Sequence, residues 1–354
     1  MRVMNFARRI RLPLVLFARA AYAGEPSVAF LEGDAGRAAI VDESIEPYFS
    51  LLRSMEMATK TGKVLEAKDL PGQRDECRQR YRDAVRDFTA EEEETLITFA
   101  RKIHSAWADK YPLFANTPWS FVSVASTMEG GMPHTRGRSI VMPEKANRSL
   151  AQLARANPRL AEAIIVELLV HEQAHVVQRL HPAVFEALYT VDWGFVRARG
   201  LVDGEWLESR QVVNPDGVDT GWLFPAKGSG AAYIQPFLIL SDGPEPRSMP
   251  GDFVEIGVSV EKSSGGFRVK TDAERRPAFQ PLADARDYQD RFGAVDQLYH
   301  PNEIFACFFS KMVARDHFGG PGLAVPSEVV GPDFRKLRSW CREHFAAGRP
   351  GGTK

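Results

Sequence analysis

Apolar residues are spaced along this chain in two ways, and the change between them divides it. From about residue 27 to residue 110 they recur at helical intervals. Thr89-Ala-Glu-Glu92 reads as a capping box opening a helix that carries Ile97, Phe99, Ile103 and Trp107. The glutamates at 91–94 suit the positive end of that helix. From Trp119 the spacing becomes that of strands. Residues 121–125 and 139–142 read as the two strands of a hairpin, with Glu129–Pro133 as its turn. A long apolar stretch then runs from Arg159 to Leu180. On a helical wheel it is apolar nearly all round, which predicts a buried helix. Asn157 and Pro158 supply its N-cap and first position, and His181 before Pro182 ends it. Residues 201–282 are rich in glycine and proline, with strand-like runs at 233–240 and 253–260 and a turn at Asn214-Pro-Asp-Gly217. Helical spacing returns over 302–315 and near 332–346.

The pattern predicts five segments: a leader at 1–23, a helical region at 24–112, a core with hairpin and buried helix at 113–200, a β-rich insertion at 201–282, and C-terminal helices at 283–354. At 354 residues there is room for one large domain or two modest ones. Hydrophobic residues are 44% and charged residues 26%, an ordinary globular balance, and the formal charge of −1 speaks against a nucleic-acid partner.

The first 23 residues depart from that balance. They hold Arg2, Arg8, Arg9, Arg11 and Arg19 and no acid, with an apolar run at 12–17 and Ala21-Tyr-Ala23 before Gly24. This predicts a signal peptide and an exported, periplasmic or secreted product, the alternative being a ragged N-terminus on a cytoplasmic one. Removing those five arginines leaves 40 basic against 46 acidic residues, a net charge of about −6. No later stretch has the length of a membrane span. Three cysteines are too few for a disulfide framework, and one Cys77–Cys341 bridge is the pairing to test in an oxidising compartment.

The chemistry is concentrated late in the buried helix, at His171-Glu-Gln-Ala-His175. Histidines four residues apart lie one above the other on a helix, where one zinc ion can take both imidazoles. Glu172, next to the first, is placed to take a proton from water at such a metal. Two buried histidines bonded to backbone carbonyls would be the bland alternative, but the intervening acid favours zinc.

A catalytic zinc needs a third protein ligand. His181 has the spacing of the HExxHxxGxxH class, but Gln178 stands where that class has the glycine that turns the chain back to the metal. The other candidate is Glu303 in Tyr299-His-Pro-Asn-Glu-Ile-Phe-Ala306, where Asn302 would cap a helix on which Glu303, Cys307 and Ser310 share one stripe. A first-turn glutamate serving only the helix dipole is common, and that reading stands beside it.

HEQAH followed by a helix opening Asn-Glu-x-x-Ala resembles the gluzincin class of zinc metallopeptidases. The likeness covers two short segments. It implies an α+β, zincin-like catalytic domain, a small sheet with an edge strand packed on the active-site helices. It implies zinc held by His171, His175 and Glu303, Glu172 as general base, and a peptide or protein substrate. The 128 residues between His175 and Glu303 exceed the spacing of thermolysin-like members, and Cys307 stands where some members have an acid. The resemblance also places an edge strand beside the metal. His134, Arg136 and Arg138 would line the cleft there, or serve as protective charges on a solvated edge. Tyr299 and His300 are candidates for stabilising an oxyanion. From a different class, a non-catalytic, zinc-stabilised exported binding protein also fits the sequence.

Overall fold

The computed structural model describes residues 25–198, 201, 205–226, 232–293, 297–319 and 334–345. The predicted leader at 1–23 lies outside them. The fold is mixed α+β, with two sheets and three groups of helices.

The N-terminal part carries α1 (Gly33–Ile40), α2 (Ser54–Thr61), α3 (Leu70–Asp83), α4 (Ala90–Trp107) and α5 (Pro112–Ala115). It is less purely helical than its spacing suggests, because β1 (Val28–Phe30) and β2 (Val85–Arg86) also belong to it. Both pair with β3 (Trp119–Val124), β1 in parallel and β2 antiparallel. Strands of two or three residues are too short to leave a period in the sequence. The capping box is present: Thr89 Oγ1 accepts from the Glu92 backbone N–H (3.3 Å) and Glu92 accepts from that of Thr89 (2.8 Å).

The first sheet has the order β1-β3-β5-β4, where β4 is His134–Arg136 and β5 is Ser139–Pro143. The expected hairpin is corrected here. β3 and β5 pair in parallel, and the antiparallel partner of β5 is β4. Residues 129–133 form part of the crossover to β4, not a tight turn between β3 and β5. β3 is buried on both faces. Trp119 and Phe121 face one core while Val122 and Val124 face another, as the twofold alternation of a strand requires.

Helices α6 (Glu144–Ala156) and α7 (Pro158–Leu180) follow β5. The Asn157 side chain accepts from Leu160 N–H (3.1 Å), and α7 ends at Leu180 as Pro182 demands. Ile165, Val166, Leu169 and Val170 are fully buried, and α7 packs along α11 (Pro301–Phe318).

Between these two helices lie α8 (Pro182–Ala187), α9 (Glu205–Arg210), α10 (Arg286–Phe292) and the second sheet. Its strands run β10-β9-β8-β7-β6, with β11 also on β9. They are β6 (Val196–Arg197), β7 (Trp222–Pro225), β8 (Tyr233–Leu240), β9 (Phe253–Ser263), β10 (Gly266–Val269) and β11 (Phe279–Pro281). The insertion is thus β-rich as expected. The last helix, α12, spans Phe334–His344. No described helix is long and apolar enough to cross a membrane. Cys77 and Cys341 are unbridged and sit in separate hydrophobic cores, so the one pairing the sequence left open is not formed.

Candidate metal centre

α7 and α11 carry the chemistry to one point. His171 Nε2 and His175 Nε2 are 3.0 Å apart. Glu303 Oε2 lies 3.3 Å from the first and 3.5 Å from the second. At that distance the two nitrogens share either one N–H, donated by one ring to the lone pair of the other, or a cation between them. The neighbouring charges favour positive charge here. Burial opposes protonation of His175, yet the Glu303 and Asp216 carboxylates outweigh it and raise its pKa to about 9. Burial likewise disfavours the Glu303 anion, but His175 and His171 outweigh that and hold its carboxyl well below the usual range.

The ligand atoms are oriented by neighbours. His175 Nδ1–H donates to Gln178 Oε1 (2.9 Å), leaving Nε2 for the shared point. Gln178 Nε2 donates to Tyr189 Oη (2.9 Å) and to the Asn302 carbonyl (3.0 Å) at the start of α11. Tyr189 Oη–H donates to Asn302 Oδ1 (3.0 Å). Gln178 therefore ties the orientation of His175 to the helix that delivers Glu303. On the other side, Asn214 Nδ2 donates to Glu303 Oε1 (2.5 Å), which leaves Oε2 facing the histidines.

Glu172 is 4% exposed, and its Oε2 has no hydrogen-bond partner among the described residues. Burial, then Asp216 and Glu303, push its pKa well above the carboxylate range, with His175 opposing. His171, Glu172 and Glu303 line a cavity of about 1030 Å³. Its walls come from α7, α11, the segment 129–134 and the insertion.

Comparison with protein-family models, with curated proteins and with solved structures gives no match. The residues themselves carry the functional reading.

Several expected site residues fall elsewhere. His181 forms the boundary between α7 and α8 and is not in the cluster. Gln178 continues the helix, as its side chain suggests, and so carries His181 past the His171-His175-Glu303 cluster. His300, not Asn302, is the N-cap of α11. Its Nδ1 accepts from Asn302 N–H (3.0 Å), and its Nε2–H donates to the Asp219 carbonyl (2.7 Å). Both ring nitrogens are used, so His300 offers nothing to an oxyanion. Gly217 makes room for this ring, since a Cβ there would lie 2.5 Å from His300 Nδ1. Tyr299 does line the cavity, and its hydroxyl makes no hydrogen bond among the described residues. His134 also lines the wall. Arg136 does not: it is fully buried, stacked over Tyr48 at 4.1 Å and donating to the Asp42 carbonyl (3.1 Å). Arg138 is exposed, outside the wall.

Two features escaped the sequence reading. The 214–217 turn reaches from the insertion to the centre, through Asn214 and through Asp216, whose carbonyl accepts from Asn302 Nδ2 (2.9 Å). Glu129 is the second. It holds left-handed angles (φ 45°, ψ 39°) and a buried ion pair with Lys60 (2.9 Å). Tyr48 (2.5 Å) and Tyr81 donate to its other oxygen.

Proposed function

We propose that this chain is a zinc-dependent hydrolase of gluzincin type acting on peptide bonds, with His171, His175 and Glu303 as metal ligands and Glu172 as general base. The observation that carries the reading is the convergence of three ligand atoms within 3.5 Å of one another, from two helices, beside an unpartnered carboxylate oxygen in a cavity wall. Two imidazole nitrogens and one carboxylate oxygen are a donor set of catalytic zinc sites. The prepared orientation of His175 and Glu303 fits a resident ion better than an empty polar cluster.

A zinc ion held there supplies Lewis acidity, polarising a carbonyl and making water more acidic. Glu172 accepts a proton at its free oxygen and returns it to the leaving nitrogen. Positive charge at the ligand atoms acts against the burial that raises the Glu172 pKa, and so favours its basic form. Tyr299 is among the residues lining the cavity, and burial with the Glu303 and Asp216 charges keeps its phenol protonated. It is the donor we assign to developing negative charge on the carbonyl oxygen.

The test compares wild type with Glu172→Gln for metal content and for hydrolysis of quenched-fluorescent peptides. The variant should keep its zinc and lose about 100-fold or more in rate. Hydrolysis unchanged by the substitution, or a protein that binds no zinc, refutes the assignment. Bound zinc with no peptide cut would leave a zinc-stabilised binding protein.

A further inference from the structure

β4 is the edge of its sheet, where an extended substrate would add as another strand. Here that edge is already used. Thr135 is the β4 residue whose backbone N–H points away from β5, and it donates to Asp216 Oδ1 (2.8 Å). Pro133, two residues earlier, has no N–H to offer. Arg179 fastens the covering turn, donating to the Pro215 carbonyl (2.8 Å), to Thr135 Oγ1 (2.9 Å) and to the Gly137 carbonyl (3.1 Å). A substrate backbone finds no free donor along 133–135.

Recognition then falls to side chains, and the cavity is built for one kind. α7 is buried on most faces, yet Ile164 is 44% exposed and Leu168 is partly exposed. Both lie on the stripe that leads to His171, and both line the cavity. Phe253 and Val254 of the insertion line it too, Val254 at 38% exposure. Large apolar side chains left open in a cavity wall mark a seat for an apolar group. The charges point further. The wall has six carboxylates against two lysines. Both lysines are paired, Lys60 with Glu129 (2.9 Å) and Lys311 with Glu167 (2.5 Å). A C-terminal carboxylate has no unpaired cation to meet among the described wall residues, and the carboxylates of Glu129, Glu167, Asp216 and Glu255 already have partners of their own.

We propose that the cavity takes an internal polypeptide segment through one bulky aliphatic or aromatic side chain seated by Ile164, Leu168, Phe253 and Val254, and not by strand addition or capture of a terminal carboxylate. This names a substrate class for the site and rests on the hydrolase reading for its chemistry alone.

The experiment titrates zinc-supplemented Glu172→Gln protein with fluorescent heptapeptides, blocked at both ends, carrying two lysines and a central Phe or Ser. The Phe peptide should bind about 10- to 100-fold more tightly. Ile164→Asp should erase most of that preference with zinc content unchanged. Val254→Asp, on the insertion, repeats the test should the first variant fold poorly. Methylating alternate backbone nitrogens should cost no more than about threefold, and freeing the C-terminus should not tighten binding. Equal affinity for Phe and Ser overturns the proposal. So does a large loss on N-methylation, or a preference for the free acid. Hydrolysis by wild type separates the two readings. A Phe preference without cleavage keeps this proposal and removes the hydrolase, and cleavage without the preference does the reverse.

Discussion

Replacing Gln178 by leucine removes one amide from the centre and little volume. His175 Nδ1–H loses its partner, while Tyr189 keeps Asn302 Oδ1 and the Asn302 carbonyl keeps its place in the α11 ladder. A buried group left unpaired costs about 1–3 kcal/mol, so the metal-free protein should lose about that much stability. The second effect is specific to the metal. Losing the partner that orients a ligand histidine weakens metal affinity about 10- to 100-fold, or about 1.4–2.7 kcal/mol. With zinc at ~1,000 times the wild-type Kd, binding stabilises wild type by about 4 kcal/mol and a variant 30-fold weaker by about 2 kcal/mol. A chelator-competition titration reads the affinity, and melting with and without zinc reads the linkage. Gln178→Glu keeps an acceptor facing His175 and should restore the affinity even where it disturbs Asn302. The reasoning is refuted if Gln178→Leu melts lower without metal yet holds zinc within about twofold of wild type. Gln178 would then be a packing residue only.

Asn214→Ala frees Glu303 Oε1 and the Asp216 N–H, so it should lower the metal-free stability by about 1–3 kcal/mol or more and weaken zinc binding by about tenfold besides; an unchanged Kd refutes the orienting role. Separate alanine replacements at Glu303 and His181 should differ, with zinc lost only from the first when measured by elemental analysis. His300 is held neutral by burial, its pKa lowered to about 3. Its folded pKa lies below its unfolded value of about 6.5, so the stability it contributes is present above pH 6.5 and is lost as pH falls towards 3. His300→Asn keeps a capping side chain and should flatten the decline in melting temperature across that window. Glu129→Gln strands the Lys60 ammonium in the core and should cost about 3–5 kcal/mol in denaturant unfolding, which Lys60→Met combined with it should partly recover.

The parts of the site legible in the sequence are those whose geometry is local. His171, Glu172 and His175 share one helix, and their relation follows from a rise of about 1.5 Å per residue. Glu303 was visible as a carboxylate opening an apolar helix. The caps at Thr89 and Asn157 were readable for the same reason. What escaped depends on distant pairing. The pattern at 121–125 and 139–142 shows two strands but not their direction, because the choice rests on β1, from the start of the described chain, and on β4, which lies between them in sequence and takes the antiparallel place beside β5. The 214–217 turn read as a turn, and nothing in its four residues says that it ends against Glu303. His300 looked like a site residue because it precedes one, while its partner, the Asp219 carbonyl, lies 81 residues away.

Glu303 follows His175, the later of the two histidines, by 128 positions in the chain. At roughly 5–20 residues per second of synthesis, Glu303 is made about 6–25 s after His175. During that interval the nascent chain holds only a two-histidine half-site, and neither Gln178 nor the 214–217 turn has α11 to grip. On the proposed metal reading, loading would be tied to completion of the chain: a fragment truncated before residue 301 displays the motif but lacks the carboxylate of the His171-His175-Glu303 cluster.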